Sequence, residues 1–227
     1  MSKIPAHAGP QTRKLFVVDD HAVVREGIVS LLSSQPDLTI VGEAVSAAEA
    51  LSGIDKDPPD LALVDLSLKE SSGLELIKDL QVRHPQVHIL VLSMRDEAFY
   101  AERALRAGAR GYVPKDAGRE EVLKAVRTVL DGQVYVSNSL ATRVIGRMVS
   151  GGGTEGHSPM DDLTDRELGV FEMIGMGLAT REIAKKMHIS TKTVDSHREH
   201  LKQKLGLATG ADLTKHAIQW MQCQKNM

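Results

Sequence analysis

Lys14-Leu15-Phe16-Val17-Val18-Asp19-Asp20-His21 and Leu61-Ala62-Leu63-Val64-Asp65 decide the fold of this chain. Each is a short apolar run that stops abruptly at carboxylates. Placed side by side in one parallel sheet, the two runs bring three carboxylates to its C-terminal edge, where open α/β sheets hold their ligands. Carboxylates so crowded need a cation. A hard, oxygen-preferring ion such as Mg²⁺ suits them, because it binds through one or two carboxylates plus phosphate and water. The pattern predicts a protein that handles phosphoryl groups.

Outward from these two runs, short Val-, Ile- and Leu-rich segments alternate with helical-period segments, the signature of βαβ units. The expected strands are Lys14–Val18, Thr39–Glu43, Leu61–Val64, His88–Ser93 and Gly111–Val113. The expected helices are His21–Leu32, Ala47–Ser52, Leu74–Arg83, Phe99–Ala107 and Arg119–Leu130, joined by turns carrying Pro, Gly or Asp. Together they make a doubly wound α/β domain over residues 13–131 with a five-stranded parallel sheet. A linker over residues 132–160 follows, with a short Val134-Tyr135-Val136 segment, a helix at about 139–148 and the Gly-rich run Ser150-Gly151-Gly152-Gly153. Residues 161–227 read as a smaller all-α unit of four helices. Thr164-Asp165-Arg166-Glu167 is a capping box opening the first, Arg181–Met187 is the second, Ser190 caps a third through Leu205, and Ala211–Met221 is the fourth.

The 227 residues are 42% hydrophobic and 26% charged, as in globular proteins, and no apolar run approaches the ~20 residues that cross a bilayer. Residues 1–12 read as a flexible tail without the apolar core of a signal peptide, which predicts a cytoplasmic location and no membrane partner. The single cysteine, Cys223, excludes an internal disulfide framework and a multi-cysteine zinc site. A net charge of −2 divides into −3 for residues 1–158 and +1 for residues 159–227. Within Arg181–Lys204, seven basic residues stand against three acidic ones, an excess that can meet phosphates when gathered on one face.

Asp19, Asp20, Asp65, Ser93 at the end of the fourth strand and Lys115 after the fifth occur in an order and spacing that resemble the receiver domain of two-component response regulators. The resemblance implies that Asp65 accepts a phosphoryl group from a sensor histidine kinase. Mg²⁺ would be held by Asp19, Asp20, Asp65 and the backbone carbonyl of Ser67. It further implies that Lys115 pairs with a phosphoryl oxygen, that Ser93 donates to another, and that Tyr112 turns inward when Ser93 moves. Two positions depart from the commonest receiver pattern, Lys69 and Asp116 standing where prolines are frequent. Ser67 and Arg95 occupy positions at which the family tunes dephosphorylation.

The segments Leu163-Thr164-Asp165-Arg166-Glu167, Glu182-Ile183-Ala184, Ile189 to His197 and Lys204-Leu205-Gly206-Leu207 resemble the LuxR-type helix-turn-helix of the NarL/FixJ subfamily. Val194, Leu201 and Leu205 form an inward stripe on the third helix, leaving Lys192, Asp195, Ser196, Glu199 and Lys202 opposite, on a face that can enter a major groove. Lys192, Thr193, Arg198, Lys202 and the amides near Ser190 are the phosphate candidates. Asp195, Ser196 and Glu199 fall at the family's base-reading positions, where acidic side chains accept from cytosine amino groups. His197 reads as a packed helix residue in preference to a base reader or metal ligand. Trp220, with Leu213, Ala217 and Ile218, belongs either to the core or to a dimer interface.

The combined expectation is a phosphorylation-controlled transcription regulator that binds promoter DNA as a homodimer, with RNA polymerase a possible further partner and no enzymatic turnover beyond its own phosphoryl chemistry. Other classes remain open. An aspartyl phosphatase would carry a second aspartate where Ser67 stands, and a nucleotide-binding protein would carry a Gly-rich loop after the first strand. A DNA-binding regulator that does not use its acidic pocket is the closest rival.

Overall fold

The computed structural model describes residues 12–68, 72–138, 140–142 and 159–225 and divides into two compact units, Met1–Asn138 and Ser139–Met227. In the first unit β1 (Arg13–Val18), β2 (Leu38–Ala44), β3 (Leu61–Val64), β4 (His88–Ser93) and β5 (Gly111–Pro114) form a parallel sheet in the order β2-β1-β3-β4-β5. Helices α1 (Ala22–Ser33), α2 (Ala47–Lys56), α3 (Gly73–Arg83), α4 (Glu97–Ala107) and α5 (Arg119–Leu130) connect the strands. The chain runs from β1 outward to β2, then crosses back to β3, so a crevice opens beyond the C-terminal ends of β1 and β3. Val18 pairs with Val64, which makes Asp19 and Asp65 leave neighbouring strands at the same level.

Alternation along β1 divides the packing. Leu15 and Val17 join Ile28 and Leu32 of α1 and Val126 and Val129 of α5 in one buried layer. Phe16 and Val18 are buried on the opposite face. There the Phe16 ring fits because Gly42 and Gly53 lack side chains: a Cβ would lie 2.3 Å from the ring at Gly42 and 2.7 Å from it at Gly53.

In the first unit two helices differ from the expected bounds by two residues or more, and in the second unit the last helix runs four residues beyond Met221, to Lys225. The second runs four residues beyond Ser52, because Ala50 and Ile54, one turn apart, keep burying the same face past the polar Ser52 and Gly53. The fourth begins two residues before Phe99, at Glu97, because the Asp96 carboxylate accepts from the Ala98 amide and caps it. Of the expected helix at 139–148, residues 140–142 are helical; the remainder, the Gly-rich run, Lys69 and residues 1–11 lie outside the described residues. Every peptide bond among the described residues is trans, including that before Asp116.

The second unit comprises a 3₁₀ turn (Pro159–Asp162) and four helices, α6 (Asp165–Gly175), α7 (Thr180–Lys186), α8 (Thr191–Leu205) and α9 (Gly210–Lys225). The capping box at Thr164 forms as expected, Thr164 Oγ1 accepting from the Glu167 amide while Glu167 Oε2 accepts from the Thr164 amide. Gly206, at φ +65°, takes the left-handed conformation that ends α8. Phe171, Ile183, Val194, Leu201 and Leu213 bring the four helices onto one core. Trp220, half-buried, packs edge-on against Phe171 of that core at 5.6 Å between ring centroids, and Ile218 of α9 is exposed. No helix among the described residues is long and apolar enough to cross a membrane.

Candidate functional site

The crevice beyond β1 and β3 holds a buried charge cluster. Lys115, sent inward after β5, places Nζ 2.6 Å from Asp19 Oδ2 and 2.7 Å from Asp65 Oδ2. Its backbone is fixed by the amide donating to the Ser93 carbonyl oxygen at 2.9 Å. Asp65 Oδ1 accepts from the Ser67 amide at 3.1 Å and from the Ser93 hydroxyl at 3.0 Å. Asp19 Oδ1 accepts from the His21 amide at 2.9 Å, and the His21 ring Nδ1 lies 2.8 Å from Asp20 Oδ1. Asp19, Asp65 and Ser93 are buried.

One ammonium among three carboxylates leaves an excess of negative charge in a place with little water. Asp19, Asp20, Asp65 and His21 each bring a ligand-type atom within 4.8 Å of the others. Three of these donors are hard carboxylate oxygens, so the residues present fit Mg²⁺ and would hold it through Asp19, Asp20 and Asp65. The five positions read from the sequence therefore converge, and they do so at the ends of β1, β3, β4 and β5.

Around this cluster lie contacts that the sequence did not reveal. Arg25 of α1 donates from Nη1 to the Asp19 carbonyl oxygen at 2.7 Å while its Nε meets Glu43 at 3.1 Å, tying the acidic loop to β2. Arg95 donates to the Ser67 hydroxyl at 3.0 Å and to the Tyr100 hydroxyl at 2.7 Å, joining the loop after β3 to α4. Tyr112 is buried, its hydroxyl donating to the Arg95 carbonyl oxygen at 2.6 Å. Burial pushes its phenol well above the ordinary value, so it remains a donor. Gly73, at the start of α3, presses on the acceptor loop: a Cβ there would lie 2.6 Å from Leu66 Cα and against the Asp65 carbonyl oxygen.

In the second unit α8 presents the residues expected to meet DNA. Lys192, Thr193, Asp195, Ser196 and Glu199 are exposed, Arg198 and Lys202 half-buried. Not all of them are equally available. Ser190 Oγ caps the helix by accepting from the Thr193 amide at 3.0 Å and also engages the Thr193 hydroxyl at 2.8 Å. Ser196 donates to the Lys192 carbonyl oxygen at 3.1 Å, and Lys202 pairs with Glu199 at 2.9 Å. Leu205, expected inside, is only half-buried, while Val194 and Leu201 are fully so.

Beside the shared core, Glu167 ties α8 to α6. Its Oε2 accepts from Lys204 Nζ at 2.7 Å and from Thr164, and Lys204 also donates to the Asp162 carbonyl oxygen at 3.1 Å. Burial pushes the Glu167 carboxyl up, but the Lys204 ammonium and the Thr164 donors outweigh it and hold it below its ordinary value. Glu167, His197 and His200 also bring ligand-type atoms within 4.8 Å of one another. Glu167 is committed to its cap and to Lys204, so in this group it fastens two helices.

Comparison with known proteins agrees with both units. Residues 15–127 match the response regulator receiver domain, and residues 161–217 match the bacterial regulatory proteins of the LuxR family. The chain is 35% identical over 209 residues to the oxygen regulatory protein NreC of Staphylococcus carnosus, covering 90% of this chain and 96% of that protein. It is 36% identical over the same length to NreC of Staphylococcus aureus strain JH9, with the same coverage. Among solved structures, a LuxR-family two-component response regulator from Aurantimonas sp. SI85-9A1 is similar, with TM-score 0.57 and 31% identity over 61% of this chain and 99% of that one. An RcsB response regulator of Salmonella typhimurium, studied for conformational dynamism in DNA interaction, has TM-score 0.56 and 26% identity over 91% of this chain and 98% of its own. With an acidic pocket at the strand ends, a capped α8 in a four-helix unit and relatives matched over nearly their whole length, the chain belongs to the two-component response regulators of the NarL family, in which a receiver domain precedes a LuxR-type helix-turn-helix.

Proposed function

We propose that this protein is a transcription regulator whose DNA binding is controlled by phosphorylation of Asp65. The observation that carries the reading is the buried Asp65 carboxylate, held between Lys115 and Ser93 and beside Asp19 and Asp20. An oxygen of Asp65 forms the new bond to phosphorus as the P–N bond of a sensor kinase's phosphohistidine breaks, its electron pair leaving with the imidazole nitrogen of the histidine. Mg²⁺, when bound, neutralises charge on the phosphoryl oxygens. Lys115 then turns from the carboxylate to a phosphoryl oxygen, and the Ser93 hydroxyl, already 3.0 Å from Asp65 Oδ1, donates to another.

The output side rests on α8. Lys192 and Arg198, with the amides behind Ser190, meet phosphates, and Asp195 and Ser196 reach base edges. DNA interaction described for the similar RcsB supports this role. A single such unit makes few phosphate contacts, so binding as a homodimer on paired half-sites is expected in the cytoplasm, where promoter DNA and RNA polymerase are found.

One observation favours a second reading, a regulator active without phosphorylation. Tyr112 and Ser93 are held inward by bonds to Arg95 and to Asp65 itself, the arrangement expected of the switched receiver. Incubation with Mg²⁺ and a small-molecule phosphodonor, read by intact mass beside Asp65→Ala, separates the two. A single phosphoryl adduct that requires Mg²⁺, disappears in the variant and raises promoter affinity supports the first reading. Equal promoter affinity with and without the adduct supports the second.

A further inference from the structure

Asp19 is held from four directions. Its amide donates to the Ala44 carbonyl oxygen at 3.0 Å, its Oδ1 accepts from the His21 amide at 2.9 Å, and its Oδ2 meets Lys115 Nζ at 2.6 Å. The fourth contact comes from α1, where Arg25 Nη1 donates to the Asp19 carbonyl oxygen at 2.7 Å. That carbonyl belongs to the planar peptide group joining Asp19 to Asp20, so its direction sets where the Asp20 side chain leaves the backbone. The same guanidinium donates from Nε to Glu43 Oε2 of β2 at 3.1 Å. The Arg25 side chain is 15% exposed, so both of its bonds are made largely out of water.

The start of α1 gives this contact its weight. His21, at the N-terminal end of the helix, does not cap it with its side chain, and the three residues that follow, Ala22, Val23 and Val24, carry no polar group that could. Arg25 stands one turn in, its amide bonded to the His21 carbonyl oxygen at 3.0 Å, and its side chain runs back over that turn to Asp19. A planar guanidinium engaged at two of its nitrogens holds a fixed direction, which a point charge does not. The bend it braces is under load. Asp19, Asp20 and Asp65 bring carboxylate oxygens within 4.8 Å of one another around the Lys115 ammonium, and their repulsion favours any backbone rotation that turns the Asp20 carboxylate out to water. The bond from Arg25 to the peptide between Asp19 and Asp20 opposes that rotation.

We propose, on the phosphorylation reading above, that Arg25 is a positioning residue for cation binding: by fixing the peptide between Asp19 and Asp20 it keeps the Asp20 carboxylate turned into the pocket, ready for a divalent ion. Plain electrostatics and this role differ in sign. Arg25 is a cation beside a cation site, so if its charge alone mattered, removing it would tighten the site. As a positioning residue its removal loosens the site, because the affinity scales with the fraction of molecules whose Asp20 already faces inward.

Titration of the full chain with Mn²⁺, read by the electron paramagnetic resonance of the free ion and with Mg²⁺ as competitor, tests this, since carboxylate and carbonyl oxygens suit both ions. The wild type should bind an ion that Asp65→Ala does not. Arg25→Met, which keeps the packed stem of the side chain, and Arg25→Ala should each weaken that binding roughly tenfold, about the effect of one hydrogen bond from a charged donor. The two variants give independent readings, so a failure of Arg25→Ala to fold leaves Arg25→Met to decide. Tighter binding in Arg25→Met overturns the proposal and leaves Arg25 a charge effect. Unchanged binding, with a lower melting temperature in EDTA, also overturns it and makes Arg25 a brace of the fold alone. In both cases the phosphorylation reading stands. If the wild type shows no ion that depends on Asp65, that reading fails and the role of Arg25 with it.

Discussion

Replacing Lys115 by Met keeps the length of the side chain and removes the ammonium that sits 2.6 Å from Asp19 Oδ2 and 2.7 Å from Asp65 Oδ2. The Lys115 side chain is 3% exposed, so water cannot take its place without entering the pocket. Removing one partner of a buried pair costs roughly 3–5 kcal/mol, because the remaining charge stays uncompensated. The His21 and Ser67 amides and the Ser93 hydroxyl still donate to the two carboxylates, which puts the expected loss at the low end, about 3 kcal/mol. For a unit of this size that lowers the unfolding midpoint by about 10 °C. A divalent cation offers the carboxylates another neutraliser, and at a hundredfold excess over its Kd a ligand of the native state adds about 2.7 kcal/mol. Calorimetry of both proteins in EDTA and in Mg²⁺ should show a large deficit for Lys115→Met in EDTA that Mg²⁺ largely restores. The wild-type protein should gain less, since its own ammonium opposes the incoming ion. A variant as stable as the wild type in EDTA, or a deficit unchanged by Mg²⁺, would refute the argument that charge excess governs this pocket.

Three further outcomes follow from the geometry. Gly73→Ala puts a methyl 2.6 Å from Leu66 Cα, so the acceptor loop has to shift; a loss of roughly 1–3 kcal/mol and slower appearance of the Asp65 phosphoryl adduct are expected, and an unchanged denaturation midpoint would contradict it. Glu167 has a folded pKa below its ordinary value of 4.5, so its contribution is complete above about pH 4.5 and disappears as pH falls through the folded value. Urea titrations followed through Trp220 fluorescence should show that acid loss in the wild type and a smaller one in Lys204→Met. On α8, Lys192→Ala should weaken binding to every DNA sequence and reduce the salt slope by about 1, whereas Asp195→Asn should alter preference at one base pair by roughly 1–3 kcal/mol. Anisotropy titrations at several salt concentrations distinguish the two, and a sequence-selective effect of Lys192→Ala would assign that residue to base contact instead.

The pocket was legible in the sequence because each of its residues sits directly at the end of an apolar run, and strand ends in a parallel sheet meet by construction. The network that braces it was not. Arg95 reaches Ser67, which lies 28 residues away, and Arg25 reaches Glu43, 18 away, contacts that depend on the tilt of helices and not on any local pattern. Likewise the capping box of Thr164 and Glu167 is written within four residues, yet the Lys204 ammonium that gives Glu167 its second role arrives from 37 residues on. Val134-Tyr135-Val136 reads as a short extended piece, but nothing local tells that Gly111 leaves room for it beside β5. The second helix extends past its sequence signal for the opposite reason: polar residues on its outer face mask the inward pair Ala50 and Ile54.

A buried cluster with more carboxylates than ammonium groups is a poor source of stability, and its retention in the middle of a well-packed sheet needs another reason. Charge excess makes the pocket sensitive to whatever enters it, because each ion or phosphoryl group changes the balance by one unit or more in a region of low polarisability. Sensitivity alone moves nothing; the change must reach an element with two arrangements. Here Ser93 is the contact point, since its hydroxyl belongs to the Asp65 pocket and its carbonyl oxygen holds the Lys115 amide. Two residues later the Arg95 carbonyl oxygen holds Tyr112, whose amide holds Tyr135. Each of these bonds is an ordinary one, worth about 1 kcal/mol, so two arrangements of the loop after β4 need differ by no more than a few kcal/mol. That is the range in which a single phosphoryl group, making two or three charge-assisted bonds, shifts a population from one form to the other.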